Sequence, residues 1–95
     1  VSVDISAFIE ARWDTPATGR RVDYIVLHDM EMGETVHTAE DCAHMFANLG
    51  PDRKASAHFA VDSNSIVQCV REKDIAYHAP PNLHSIGVEH AGFAR

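Results

Sequence analysis

The stretch Val22-Asp23-Tyr24-Ile25-Val26-Leu27-His28-Asp29 decides how the rest of the chain is read. Apolar residues fall on both parities, with Val22, Tyr24 and Val26 against Ile25 and Leu27. That pattern predicts a strand covered on both faces, a central strand of an α/β sheet. The run stops in an imidazole and a carboxylate, which places His28 at the rim of the sheet. Ligands and metals collect beyond strand ends in such folds, so His28 is the first candidate for chemistry.

Working outward, Asp29 to His37 reads as a loop over the strand end, because three acids, a glycine and two methionines follow no periodicity. Thr38-Ala39-Glu40-Asp41 resembles a capping box and predicts a helix. Its apolar residues Cys42, Met45, Phe46 and Leu49 recur at helical spacing until Gly50-Pro51 stops it. Ala57 to Asp62, a Ser63-Asn64-Ser65 turn and Ile66 to Val70 form a hairpin, with His58 and Ala60 on one face and Phe59 and Val61 on the other. A short extended piece, Ile75-Ala76-Tyr77, leads into a proline-stiffened loop from His78 to His84. Ser85 to His90 is the last strand, with Gly87 and Glu89 on one face and Ile86, Val88 and His90 on the other. Before the central strand, Asp4 or Ser6 is expected to cap a short helix carrying Ile5, Phe8 and Ile9 on one side.

Ninety-five residues, 45% of them hydrophobic, suit one domain with a modest core. The chain carries 8 basic and 14 acidic residues, a net charge of −6, and no basic cluster beyond the pairs Arg20-Arg21 and Arg53-Lys54. Nucleic acid is thereby disfavoured as a partner. No apolar run approaches the roughly 20 residues of a membrane span, and no secretory leader opens the chain, so a soluble protein is expected. Protonating all 7 histidines would move the charge from −6 to +1, so the surface should respond to mild acid. Cys42 and Cys69 lack Cys-x-x-Cys spacing. They read as buried thiols rather than a zinc knuckle, with a disulfide left open.

A catalytic zinc needs three protein ligands and an open position for water. No His-Glu-x-x-His helix is present, so a site would have to gather donors from separate strands and loops. His28, His58, His78, His84 and His90 all lie on strands, at strand ends or in the loop between them. Glu89 sits on an apolar strand, where desolvation would raise its pKa and suit it to proton transfer. The alternative is a surface acid on an edge strand. Serine chemistry lacks a Gly-x-Ser-x-Gly elbow, and neither cysteine has a histidine beside it in a recognisable nucleophile motif.

Four stretches together resemble the type 2 N-acetylmuramoyl-L-alanine amidases, the zinc family that includes phage endolysins and is similar to peptidoglycan recognition proteins. They are Tyr24 to His28, Ala55 to Asp62, Ile75 to Pro80 and Ser85 to Gly92, and they follow the family's order. Ser-Ala-His-Phe and Ile-Gly-Val-Glu-His-Ala-Gly are most similar to amidase modules of endolysins from phages of mycobacteria and related actinobacteria. The resemblance implies a mixed central β-sheet flanked by helices, with residues 1–95 as a single amidase-like domain. It implies Zn2+ as cofactor, His28 as the first zinc ligand, Glu89 as the catalytic acid/base, and His58 and His78 lining the cleft for substrate. The partner it implies is peptidoglycan, cut between the lactyl group of N-acetylmuramic acid and L-alanine. If the protein is a phage endolysin, it is made in the host cytoplasm and acts on the cell wall.

Two departures follow from the same resemblance. Ala57 stands where some relatives carry a catalytic tyrosine, which shifts the burden to Glu89. The family's second zinc histidine, its Cys or Asp ligand and a nearby lysine fall after a further helix, beyond Arg95. The expected domain therefore lacks its C-terminal helix and end, with the remaining ligands supplied elsewhere. His90 points away from Glu89 and is not taken as a substitute. A metal-free peptidoglycan-binding module and an inactive fragment are the alternative readings.

Overall fold

A computed structural model describes residues 5–30, 33, 35, 37–78 and 82–92. Its centre is a five-stranded mixed sheet. The strands are β1 (Ala7–Phe8), β3 (Tyr24–Asp29), β4 (Phe59–Val61), β5 (Ile66–Gln68) and β7 (Ser85–His90), in the order β1-β5-β4-β7-β3. β3 and β4 both run parallel to β7, and β4 and β5 form the expected antiparallel hairpin. A small second sheet pairs β2 (Asp14–Thr15) with β6 (Ile75–Ala76). Among the described residues one α-helix, α1 (Thr38–Asn48), packs on β4 and β5. Among the described residues no helix is long and apolar enough to cross a membrane.

The core between α1 and the sheet is built from small side chains. Ala39, Cys42, Ala43 and Phe46 of the helix meet Ala60, Val67 and Cys69 of the hairpin, all buried. Alanines at facing positions let the helix lie close to the sheet. The start of α1 is secured differently from the capping box expected at Thr38. His37 is the N-cap residue and its side chain makes no cap. Thr38 is buried and donates its hydroxyl to the Gly33 carbonyl. The carboxylate of Asp62, at the end of β4, instead accepts the Ala39 N–H at 2.8 Å, together with the N–H groups of Asn64 and Ser65 and the Ser65 hydroxyl. One side chain thus caps the helix and closes the hairpin turn. At the other end, the Arg12 N–H donates to the Phe46 carbonyl, and Trp13 Nε1 and Arg12 Nη1 to that of Leu49. Carbonyls that a helix end leaves unpaired are satisfied by the N-terminal segment.

Two sequence expectations are corrected. The expected N-terminal helix is replaced by β1, which runs parallel to β5 and is held by the N–H groups of Ser6, Ile9 and Ala11 on the carbonyls of Ile66, Gln68 and Cys69. Backbone carbonyl acceptors along one edge of β5 outweigh a weak local helical pattern; Asp4, the other expected cap, lies outside the described residues. β3 is an edge strand rather than a central one, since β7 inserts between it and β4. Ile25 and Leu27 are 70% and 67% exposed, on the face away from α1. Parts of the loop from Asp29 to His37, and Ala79 to Pro81 of the proline-containing loop, also fall outside the described residues.

Desolvation tends to raise the Asp62 pKa, but the hydrogen bonds from Ala39, Asn64 and Ser65 outweigh it and hold the carboxyl below its ordinary value of 3.8. Its stabilising effect is therefore complete above that value and is lost as pH falls through the lower folded pKa. Asp62→Ala should cost about 1–3 kcal/mol in urea unfolding at pH 7, because partly buried donors lose their acceptor. The gap to the parent protein should narrow in strong acid. An unchanged urea midpoint at pH 7 would show that Asp62 does not link helix and hairpin.

Candidate active site

Parallel pairing of β3 with β7 places His28 opposite Glu89 and Asp29 opposite His90. Register partners share a face, and neighbouring strands lie about 4.8 Å apart, so His28 and Glu89 stand side by side at the C-terminal rim of the sheet. On the other side of Glu89 the partner is Ala60 of β4, whose small side chain leaves the carboxylate room. Asp29 and His90 share the opposite orientation and pair with each other, Oδ1 to Nε2, at 3.0 Å. His90 is thereby turned away from Glu89, and His84 is at the far end of β7, hydrogen-bonded to the Arg21 carbonyl.

Burial raises the pKa of the half-buried Glu89, Asp29 adds to the rise, and His28 and His90 oppose it. Cys42 of α1 faces the same space. Burial, with the Glu89 charge second, pushes its thiol up to about 12, so it is an uncharged wall of the site.

His78 lies along the face of β7. Its Nδ1 is 3.1 Å from His28 Nε2, and its Nε2 is 3.0 Å from the Ser85 hydroxyl. The ring occupies the space above Gly87, where a Cβ would come within 2.6 Å of its carbon atoms. Burial lowers its pKa to about 4, helped by the neighbouring His28, His58 and Arg20. A neutral His78 therefore links Ser85 to His28 at ordinary pH. Because His28 Nε2 is engaged by His78, Nδ1 is the nitrogen of His28 without a hydrogen bond among the described residues.

His58 is fully buried beneath this arrangement. Its Nδ1 accepts the Gly87 N–H at 3.0 Å, and its Nε2–H donates to the Asp74 carbonyl at 2.8 Å. Both nitrogens are thus spent inside the protein. Desolvation lowers its pKa, opposed by the Asp74 carbonyl and supported by Arg20. The expectation that His58 lines a cleft meets a residue with no open surface, which supports the site from below.

The family profile described as N-acetylmuramoyl-L-alanine amidase (Amidase_2) matches residues 18–95. The chain belongs to that family. No curated protein matches it. Among solved structures, the catalytic domain of XlyA is similar at 27% identity, covering 94% of this chain and 61% of that one, with a TM-score of 0.73. A mutant endolysin from Bacillus subtilis gives 22% identity, 93% and 62% coverage and a TM-score of 0.70. A mutant of PlyL gives 21%, 87%, 50% and 0.60. The chain spans less than two thirds of the length of each of these structures.

For a member of the amidase family, zinc is the metal to test against the residues present. Such a site needs three protein donors. Among the described residues no three His, Cys, Asp or Glu groups are placed to hold a metal ion. His28 offers one nitrogen, and the described part of the amidase chain does not complete the set.

One contributor went unnoticed in the sequence. Arg20 read only as half of a basic pair, yet its guanidinium donates to the carbonyls of Glu72, Lys73, Leu83 and Ser85 and lies 3.1 Å from His58 Nε2. It ties the segments before and after His78 to one point. No local pattern announces this, because its partners are backbone carbonyls more than 50 positions away.

Gly87→Ala should force the His78 ring out of place, costing about 1–3 kcal/mol as overpacking does. Histidine NMR titration should show parent His78 neutral down to about pH 4 and a rise towards 6.5 in the variant. The sign is that of a depressed histidine: its contribution to stability is complete above 6.5 and is lost as pH falls towards 4. A Gly87→Ala protein of unaltered stability and His78 titration would remove this contact from the site.

Proposed function

We propose that the protein hydrolyses the amide between the lactyl group of N-acetylmuramic acid and L-alanine in peptidoglycan, as a zinc amidase of the endolysin type. The observation that carries this reading is the pairing of His28 with a desolvated Glu89 at the rim of parallel strands, in a chain of the amidase family.

In this reading His28 contributes one zinc ligand through its unengaged Nδ1, and the remaining donors come from outside the described residues. Bound zinc would lower the pKa of water towards ~7 and polarise the acyl carbonyl. Glu89 supplies the proton transfers. Its carboxylate takes a proton from the attacking water as oxygen adds to the lactyl carbonyl carbon. It then returns that proton to the alanine nitrogen as the C–N bond breaks, leaving a free lactyl carboxylate and a free peptide amine. A raised pKa brings Glu89 closer to the range in which one group can do both.

His78 holds the His28 ring in orientation and stays neutral, so it places no second positive charge beside a cation. That is the usual duty of a group hydrogen-bonded to the far nitrogen of a metal-binding histidine. His58 and Arg20 fix the backbone from which His78 and Gly87 project.

With zinc-loaded parent protein and purified cell walls, Glu89→Gln should reduce release of L-alanyl peptides by about 10²–10⁴-fold, the usual worth of a positioned acid/base, and should leave metal content unchanged. His28→Ala should lower metal content as well as turnover. Full turnover by Glu89→Gln excludes this carboxylate as the base. A loaded parent protein that binds cell walls without releasing peptide would instead be a binding module.

A further inference from the structure

Between α1 and the C-terminal ends of β3 and β7 runs a groove of about 340 Å³. Met45 and Phe46 of the helix form one wall, and Asp29, Glu89 and Arg53 are its charged groups, beside the neutral Cys42 thiol. The volume lies in the range of small-ligand sites. Arg53 is the one cation lining it among the described residues. The backbone N–H of Arg53 donates to the Gly50 carbonyl, but its guanidinium makes no hydrogen bond or ion pair among those residues.

Neighbouring cations are committed elsewhere. Lys54 Nζ lies over the Trp13 ring at 4.9 Å, and the Arg12 guanidinium lies over the same ring at 4.9 Å while donating to the Leu49 carbonyl. Of the two acids in the groove, Asp29 is paired with His90, and Glu89 is desolvated. The groove thus presents an apolar wall, a proton-transferring carboxylate and an unengaged guanidinium. A net charge of −6 disfavours anionic ligands at long range, so one admitted here needs a local cation. Guanidinium and carboxylate match as paired donors and acceptors, with geometry an ammonium does not reproduce.

We propose that Arg53 is a specificity-determining residue that pairs with a free carboxylate on the peptide side of the scissile amide, so that acidic stem peptides are preferred to amidated ones. This rests on the amidase reading for the placement of the amide at Glu89. The only hydrogen bond of Arg53 among the described residues is made by its backbone N–H, so replacing the side chain removes none.

The test compares two ligands by isothermal titration calorimetry on the 95-residue chain carrying Glu89→Gln, which prevents turnover. One is N-acetylmuramoyl-L-alanyl-D-glutamate, the other the same compound with both glutamate carboxyls amidated. The acidic ligand should bind about tenfold more tightly, the scale of a charge-assisted hydrogen bond, and the preference should weaken with added salt. Adding Arg53→Gln should abolish the preference and leave the amidated ligand within about twofold, whereas Arg53→Lys should retain part of it. Equal binding of the two ligands, an equal loss for both in Arg53→Gln, or no binding of either overturns the proposal. An Arg53-dependent preference in a protein that releases no peptide from cell walls would remove the amidase reading and leave the carboxylate site standing.

Discussion

A missing side chain at Gly87 is the constraint on which the site depends. Its backbone is bound on both sides by one residue, since the His58 N–H donates to the Gly87 carbonyl and the Gly87 N–H donates to His58 Nδ1. The space a Cβ would fill is taken by the His78 ring. A strand interior usually loses stability at glycine, and such positions often mark a close approach of another group. Here two imidazoles gather against one residue of β7, and the second reaches His28 on the next strand.

That packing sets the electrostatics. Three histidines near one another with an arginine among them would repel if protonated, and burial lowers the pKa of both His58 and His78. The guanidinium of Arg20 finds its partners in backbone carbonyls rather than in acids, so it braces the loops without neutralising Glu89. Glu89 is thereby left as the carboxylate of the rim whose charge is opposed by burial, while Asp29 is turned to His90. Two acids one strand apart thus face different surroundings, a general means of giving similar groups different duties.

The elements with strong local patterns were legible. The helical stripe around Cys42 and Phe46, the hairpin about Ser63 to Ser65 and the alternation from Ser85 to His90 all survive in the fold. The misread elements are those decided by distant partners. Ile5, Phe8 and Ile9 suit a helix locally, but an open edge on β5 supplies a row of hydrogen bonds to an extended chain. Thr38 carries the right side chain for a cap, yet Asp62 reaches the helix end from the hairpin and does that work. In the candidate site, His28, Glu89 and His78 could be nominated from residue type and position. The burial of His58 and the reach of Arg20 could not, because solvent exclusion and carbonyl positions exist only once segments far apart in the chain meet.

The strand ending at His28 shows where the division falls. Composition and periodicity alone determined that Tyr24 to Asp29 is extended with a histidine next to its end, and that a glutamate sits next to the end of a second strand; both follow from side-chain chemistry and a two-residue repeat. Tertiary structure decided that the two strands are adjacent, parallel and in the register that sets His28 beside Glu89, and that β3 lies at the edge of the sheet. An apolar run on both parities records only that water is disfavoured along it. Which strand inserts beside it, and with what offset, is fixed by backbone pairing between residues about 60 positions apart, a choice for which no local pattern carries the information.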